Sequence, residues 1–319
     1  MELHFLGTSS GAPTTDRNVT GLGLRDGATW DLFDCGEATQ HQLLRSPLSL
    51  AKLRRVFISH LHGDHWFGLF GLLGSRSMGQ ATSALTVIGP FGLQAMVEAV
   101  LEGSATHLTY PLTFVEVADD GGEVVAEESV TITALPLTHR VTSFAWLIEE
   151  ADRPGQLDAA AAREQGVEPG PDFSTLKRGD DVTLADGSVV RATDVVGPTQ
   201  PGRRIVIAGD NSAPAELLER TGPVDVLVHE ATFTELVLAT MPDDYGHSTA
   251  ARVAKAAEQH RVGALLLTHF SARYGPAGTD GGIDTVEAEA RHNFTGALHL
   301  AADFDVIEIA TDGTVSLPS

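Results

Sequence analysis

One cysteine, Cys35, stands in 319 residues. An internal disulfide is therefore excluded, and a reducing compartment, the cytoplasm, is expected. No apolar run approaches the roughly 20 residues a bilayer crossing needs, so no membrane role is expected. The opening Met1-Glu2-Leu3-His4-Phe5-Leu6-Gly7 lacks the basic segment and long apolar stretch of a signal peptide and reads as a strand. Basic residues are scarce: 21 Lys and Arg face 43 Asp and Glu, for a net charge of −22. Taken alone this argues against nucleic acid, because phosphate binding usually draws on Lys and Arg. An acidic bias spread over a surface also serves solubility. The placement of the few cations therefore matters more than their sum. The chain is 42% hydrophobic, which supplies an ordinary globular core.

Short runs rich in Val, Ile, Leu and Phe recur and alternate with helical patterns. Strands are expected at Glu2–Leu6, Ala28–Phe33, Arg54–Ser59, Ala84–Ile88, Val130–Leu135, Phe144–Glu149, Arg204–Ala208, Val224–His229 and Leu265–Thr268. Helices are expected at Glu37–Arg45, Phe91–Leu101, Ala213–Arg220, Ser248–His260 and Asp284–Asn293, the fourth capped by Ser248 or Thr249. This interleaving predicts a layered α/β fold. Residues 150–203 break the rhythm with many glycines and prolines. They carry a short helix pattern over Leu157–Gln165 and a hairpin signal at Ala185-Asp186-Gly187-Ser188. They read as an inserted, protruding arm on a single domain spanning 1–319.

The densest chemistry is His60-Leu61-His62-Gly63-Asp64-His65, directly after the apolar Val56-Phe57-Ile58-Ser59. Imidazole suits zinc, and a neighbouring carboxylate suits a site that also holds water. His60 and His62, two apart in extended chain, point the same way. Gly63 lets the backbone turn before Asp64 and His65. Three further apolar runs end in a ligand-type residue: Asp210 after Ile205–Gly209, His269 after Leu265–Thr268, and His139 after Leu135–Thr138. Strand ends in α/β folds are where sites assemble. Together these residues suffice for two zinc ions bridged by Asp210. Two-metal centres suit phosphodiester cleavage, because paired cations activate water and offset charge on the attacking and leaving oxygens. Asp64 is then both ligand and proton acceptor, His247 the donor to the leaving oxygen, and Glu230 the group that orients and charges His247. His247 is expected at a helix start, where the backbone favours anions.

These residues resemble a known family. The His60–His65 segment matches the HxHxDH motif of the metallo-β-lactamase superfamily. Leu6–Pro13, Arg17-Asn18-Val19, Phe33–Glu37 with Thr39–Leu44, His229-Glu230-Ala231-Thr232, Gly246-His247-Ser248 and His269–Tyr274 are similar to the short-form ribonuclease Z family, whose members process tRNA 3′ ends. The resemblance runs almost the full length and is weakest within 150–203. It implies a metallo-β-lactamase αββα sandwich with an inserted arm, a homodimer, and two Zn²⁺ per subunit. His60, His62 and His139 would hold one ion, Asp64, His65 and His269 the other, with Asp210 between. It further implies catalytic roles for Asp64, His247 and Glu230, substrate phosphate contacts from Arg273 and Ser271, and precursor tRNA as partner. The 150–203 segment would be the exosite arm that grips the tRNA elbow from the neighbouring subunit. Its Arg153, Arg163, Lys177, Arg178 and Arg191 could supply local phosphate contacts, with Lys177 and Arg178 the candidates.

Two positions depart from the family pattern. Thr15 stands where a basic residue is common, followed by Asp16, in a loop that bears on how the tRNA 3′ end and its CCA are read. Asn211 follows Asp210 where Thr is common. Two other functions compete. A metallohydrolase for small phosphodiesters, sulfate esters or lactones would have no use for the arm. An RNA-binding scaffold with a relic site would not retain all seven ligand positions.

Overall fold

The computed structural model describes residues 1–243 and 245–317. Residues Met1–Glu149 and Arg204–Ser319 form one compact unit, and Glu150–Arg203 form another.

The larger unit holds two sheets. Across the first, the order is Val315–Ser316, Val306–Ile309, Glu2–Gly7, Gly21–Asp26, Thr29–Cys35, Leu53–Phe57, Leu85–Pro90 and Leu112–Val117. Across the second it is Ala297–Leu300, Ala264–Thr268, Val226–Glu230, Arg204–Ala208, Phe144–Glu150, Val130–Pro136 and Gly122–Ala126. A core containing Phe5, Phe33, Phe57, Trp146, Ile207 and Val228 packs inner face on inner face. Phe33 and Phe57 stack with ring centroids 4.7 Å apart, and Trp146 meets Phe57 at 5.1 Å. Each such aromatic pair contributes about 0.5–1.5 kcal/mol beyond area burial. Helices Leu69–Met78 and Leu93–Gly103 share a core with the first sheet through Leu69, Leu72, Leu73 and Val97. Helices Pro214–Thr221, Ala250–Gln259 and Asp284–Asn293 do the same for the second through Leu217, Val253 and Val286. The outcome is the expected αββα sandwich.

Parallel pairing decides where the site falls. Thr29–Cys35, Leu53–Phe57 and Leu85–Pro90 run parallel, as do Arg204–Ala208, Val226–Glu230 and Ala264–Thr268. Each set therefore delivers its C-terminal ends, with the residues that follow, to one edge. The sheets meet there: Phe144 N–H donates to the Ser59 carbonyl at 3.0 Å, and Gly209 N–H to the Phe144 carbonyl at 3.1 Å. A Cβ on Gly209 would lie 2.5 Å from that of Ser59, so this crossing requires glycine.

The nine expected strands are present, Arg204–Ala208 with the expected bounds and the others with shifted ends. Five further strands of four to six residues lie outside those expected: Gly21–Asp26, Leu112–Val117, Gly122–Ala126, Ala297–Leu300 and Val306–Ile309. Gly21–Asp26 is hidden because glycine usually weakens strands. Here the missing side chain makes room, since a Cβ on Gly23 would sit 2.6 Å from Leu48. Helix Leu69–Met78 is hidden for the same reason, with Gly71 and Gly74 inside it, although Leu69, Leu72, Leu73 and Arg76 trace its buried face. Four of the five helix starts fall later than expected, with Glu37 giving way to Thr39 and Ala213 to Pro214. The helix expected from Phe91 begins at Leu93, because Gly92 at φ 93° turns the chain and leaves Phe91 outside. The helix expected from Ser248 begins at Ala250, capped by Thr249.

The smaller unit has its own core of Leu157, Ala162, Val167, Leu176, Val182, Val190, Ala192 and Val195. Asp158 caps Ala159–Glu164, its carboxylate accepting from Ala160 N–H and Ala161 N–H. Val182–Thr183 pairs with Val189–Val190 around the expected turn. Pro171–Lys177 is an additional helix, started by its proline at the first turn.

Candidate metal centre

Seven donors converge at the shared sheet edge. His60 lies three residues past the strand Leu53–Phe57, and His62 lies in extended backbone just before the short helix Gly63–Trp66, which carries Asp64 and His65. That helix presses on the Asp34-Cys35-Gly36 turn: a Cβ on Gly36 would meet the Asp64 carbonyl at 2.4 Å, and one on Gly68 the Gly36 carbonyl at 1.9 Å. His60, His62, His139 and Asp210 form one group of potential ligands, and Asp64, His65 and His269 a second. Asp210 lies between them. Its Oδ2 is 3.5 Å from His60 Nε2, while its Oδ1 is 3.5 Å from His65 Nε2 and 3.4 Å from His269 Nε2.

The donor set suits divalent cations by two tests. The first is spacing. His62 Nδ1 is 3.1 Å from His60 Nε2 and 3.3 Å from His139 Nε2; His65 Nε2 is 3.2 Å from His269 Nε2 and 3.5 Å from Asp64 Oδ2. Ligands about 2.1 Å from one tetrahedral ion are spaced by about 3.4 Å. The second is tautomer. His65 Nδ1–H donates to Asp34 at 2.7 Å, and His139 Nδ1–H to the Gly246 carbonyl at 2.8 Å. The Ser59 hydroxyl donates to Asp34 at 2.8 Å, which leaves its oxygen to accept from His60 Nδ1 at 3.0 Å. The Thr232 hydroxyl donates to Glu230 and faces His269 Nδ1 at 3.0 Å. Each outward N–H is thereby engaged, and four Nε2 lone pairs face inward, as metal-ligating imidazoles require. Burial holds His60 well below the ordinary histidine range and lowers His62, so both favour the neutral, ligating form.

Asp64 is tethered from the other side by Gly11, whose N–H donates to Oδ2 at 2.7 Å. Burial opposes its ionisation, but the His269 and His65 imidazoles beside it hold the carboxyl far below its usual range. Beside the ligands, His247 Nδ1–H donates to Glu230 Oε1 at 3.0 Å. Burial works against protonation of His247, but the Glu230 charge dominates and raises it to about 9. The same pairing brings Glu230 down to about 2 against its own burial. Glu230 also accepts from Asn211 N–H, Thr232 N–H and the Thr232 hydroxyl, so four hydrogen bonds fix it. His247 precedes the Thr249 cap rather than opening the helix, so its charge comes from Glu230 and not from a helix terminus. His247 could also reach Asp210 and His269 as a third donor group. Its tie to Glu230 is the shorter, 3.0 Å against 3.7 Å to Asp210.

Arg273 Nε donates to Ser271 Oγ at 3.1 Å, and its guanidinium lies 5.4 Å from the Phe233 ring, which in turn meets the His247 ring at 5.9 Å. Thr15 and Asp16 line a polar cavity of about 370 Å³ with Arg17, Gln42, Arg45 and Phe304. Lys177 and Arg178 belong to the smaller unit, both exposed.

Sequence reasoning assigns no role to Asp34, Ser59, Thr232 or the Gly11 N–H, which orient the ligands. Asp34 and His269 adopt left-handed backbone, φ 58° and 56°. Such conformations cost about 1–3 kcal/mol in non-glycine residues and cluster at functional sites. Nothing in a linear sequence reports them.

The αββα sandwich with this donor cluster at its edge defines a metallo-β-lactamase-fold protein with a divalent-metal site. Residues 1–145 match the family model described as Anti-Pycsar protein Apyc1. Ribonuclease Z of Brevibacillus brevis is 44% identical over 314 residues, covering 97% of each chain. Ribonuclease BN of Citrobacter koseri is 43% identical over 314 residues, covering 97% of this chain and 100% of its own. The chain belongs to the ribonuclease Z family. Among solved structures, human tRNase Z, short form, has a TM-score of 0.67 at 26% identity, over 97% of this chain and 100% of its own. The metallo-β-lactamase-fold protein YhfI of Bacillus subtilis shares the fold, with a TM-score of 0.65 at 21% identity over 96% and 98%. Among the described residues, no helix is long and apolar enough to cross a membrane.

Proposed function

We propose that this chain is a zinc-dependent endoribonuclease that removes 3′ trailers from tRNA precursors and leaves a 3′-hydroxyl on the tRNA. One observation carries the reading: a seven-donor cluster and a separate His247–Glu230 pair occupy one edge, in a chain 44% identical to a ribonuclease Z over nearly its whole length. His60, His62 and His139 would hold one Zn²⁺, Asp64, His65 and His269 the other, with Asp210 shared. When bound, such ions lower the pKa of water and offset phosphate charge.

The residues divide the remaining work. Asp64, held ionised and aimed by Gly11, accepts the proton of the attacking water. His247, charged by Glu230, donates its proton to the departing 3′ oxygen of the tRNA sugar. Arg273, braced by Ser271 and Phe233, contacts a substrate phosphate. Lys177 and Arg178 of the arm contact the tRNA body, and Arg178 lines a concavity of about 680 Å³ within that unit. Acidic residues outnumber basic ones in the arm, so phosphate contact must be local. The finer reading includes a homodimer and a cytoplasmic location, the latter in keeping with a lone, buried cysteine.

Mapping cleavage on two precursors, one lacking CCA and one bearing it, tests the reading. The expected result is a single cut after the discriminator nucleotide of the CCA-less precursor. Failure to cut either precursor, with turnover of a small chromogenic phosphodiester intact, would sink it. With Thr15 and Asp16 in the reading loop, the CCA-bearing precursor is expected to be cut as well.

A further inference from the structure

Beside the metal centre lies an apolar cleft of about 620 Å³ that none of the roles above uses, lined by Leu61, Pro90, Phe91, Val117, Val141 and Thr142, with Glu116 and Asp119 at its acidic end. It is continuous with the site through the chain. Leu61 separates His60 from His62, and Val141 and Thr142 follow His139 by two and three positions. Phe91 follows the strand Leu85–Pro90, the neighbour of the one that leads toward His60, and Gly92 at φ 93° swings it out of the following helix, 79% exposed. Phe91 is the most exposed part of one apolar surface with Leu61, Pro90 and Val141, which a planar partner would cover. Immediately before Val141 stands Arg140, whose guanidinium is exposed and, among the described residues, meets only the Tyr245 ring, at 5.8 Å.

Charge is uneven around the cleft, with Arg140 next to it in the chain but not among its lining residues. Both carboxylates in the cleft are already committed: Glu116 accepts from Gly92 N–H and Gln94 N–H, and Asp119 accepts from the Thr142 hydroxyl. They repel a phosphate but leave the apolar wall free, while Arg140 attracts one. Resting on the RNA reading above, we propose that this cleft is a nucleotide subsite: an unpaired nucleobase next to the cleaved bond stacks on Phe91, and Arg140 takes its phosphate. Stacking on an aromatic is sequence-tolerant, which suits a trailer of variable sequence.

Binding of a short single-stranded RNA to the zinc-loaded full chain tests the subsite, and precursor tRNA cleavage by the same preparation tests the parent reading separately. Phe91→Ala is expected to weaken binding about tenfold, whereas Phe91→Trp retains it. Arg140→Ala is expected to reduce the slope of log affinity against log salt by about one, and Arg140→Lys to keep it. In cleavage, an abasic nucleotide on one side of the scissile bond should raise KM in the wild type but add nothing to Phe91→Ala. The side that shows this effect identifies the nucleotide. Unchanged RNA binding by Phe91→Ala, or an abasic penalty that persists in full in that variant on both sides, overturns the subsite.

Discussion

The metal edge and the 150–203 unit solve opposite problems. At the edge, the donors are buried or half-buried, and four of the imidazoles are oriented by a second group: Asp34 behind His65, Ser59 behind His60, Thr232 behind His269, Gly246 behind His139. In the smaller unit, the proposed RNA contacts are exposed; Arg178 approaches Asp180 at 3.7 Å with both side chains about two-thirds in solvent. Chemistry on a phosphodiester needs atoms held within a fraction of an ångström, so burial and hydrogen bonding are concentrated there. Gripping a large polyanion needs only charge at the right distance, which solvated side chains provide. Losses at the edge should therefore be steep and largely independent of substrate size, and losses in the arm graded and confined to large substrates.

The largest effect should follow metal removal. Chelation is expected to abolish cleavage of precursor tRNA and of a small phosphodiester alike, with Zn²⁺ restoring both; retained turnover after metal is shown absent by elemental analysis would refute the two-ion centre. A graded version is Asp34→Asn, which leaves His65 without its carboxylate and should raise the zinc concentration for half-activity about 10–100-fold.

Next comes the proton donor. His247→Ala should lower kcat on precursor tRNA by about 10²–10⁴-fold while bound zinc stays at the wild-type level. The sign of the pH effect follows from the raised pKa of His247, about 9. The protonated form is the donor, so activity is present below that pKa and is lost as pH rises through it. Glu230→Gln removes the charge that raises it, and the alkaline limb of kcat should move to lower pH. A limb that stays in place would assign it to another group.

The same contrast explains what can be read from the chain. His60–His65 is legible because four potential ligands crowd six positions after an apolar run, and Asp210, His269 and His139 because each follows one. Their partners are not. Asp34 and Ser59 are common residue types whose roles arise from a left-handed backbone and from two sheets crossing at Gly209. Gly11 acts through its backbone N–H, which no side chain advertises. The sandwich is legible from the central strands, while Gly21–Asp26 and Leu69–Met78 are obscured by glycines that serve close packing. In the arm, the Asp158 cap and the Asp186-Gly187 turn give local signals, but the helix Pro171–Lys177 reads in sequence as a proline-glycine loop.

Removing the arm tests the other side of the comparison. The backbone closes on itself at its base: Gly197 N–H donates to the Gln156 carbonyl at 2.9 Å, and Arg153 and Gln200 exchange backbone hydrogen bonds at 2.8 Å. Deleting 155–197 therefore joins ends that are already adjacent. The deletion should cut kcat/KM on precursor tRNA by about 10²-fold, as expected when a second binding element is removed, and spare the small ester. Survival of full precursor activity would return the arm to a structural role.

The smallest effect separates a specific grip from general charge. In Lys177→Ala/Arg178→Ala the arm core is untouched, since Leu176 and its neighbours carry the packing and both cations are exposed. Removing one cation that pairs with a phosphate should reduce the slope of log KM against log salt by about one. The double variant should therefore lower the slope by about two and weaken binding modestly and evenly across tRNA sequences. If instead the slope is unchanged while KM rises, the pair acts through the shape of the helix end rather than through phosphate. If neither moves, the arm grips the tRNA elsewhere, with Arg153, Arg163 and Arg191 the remaining cations proposed to meet phosphate in that segment.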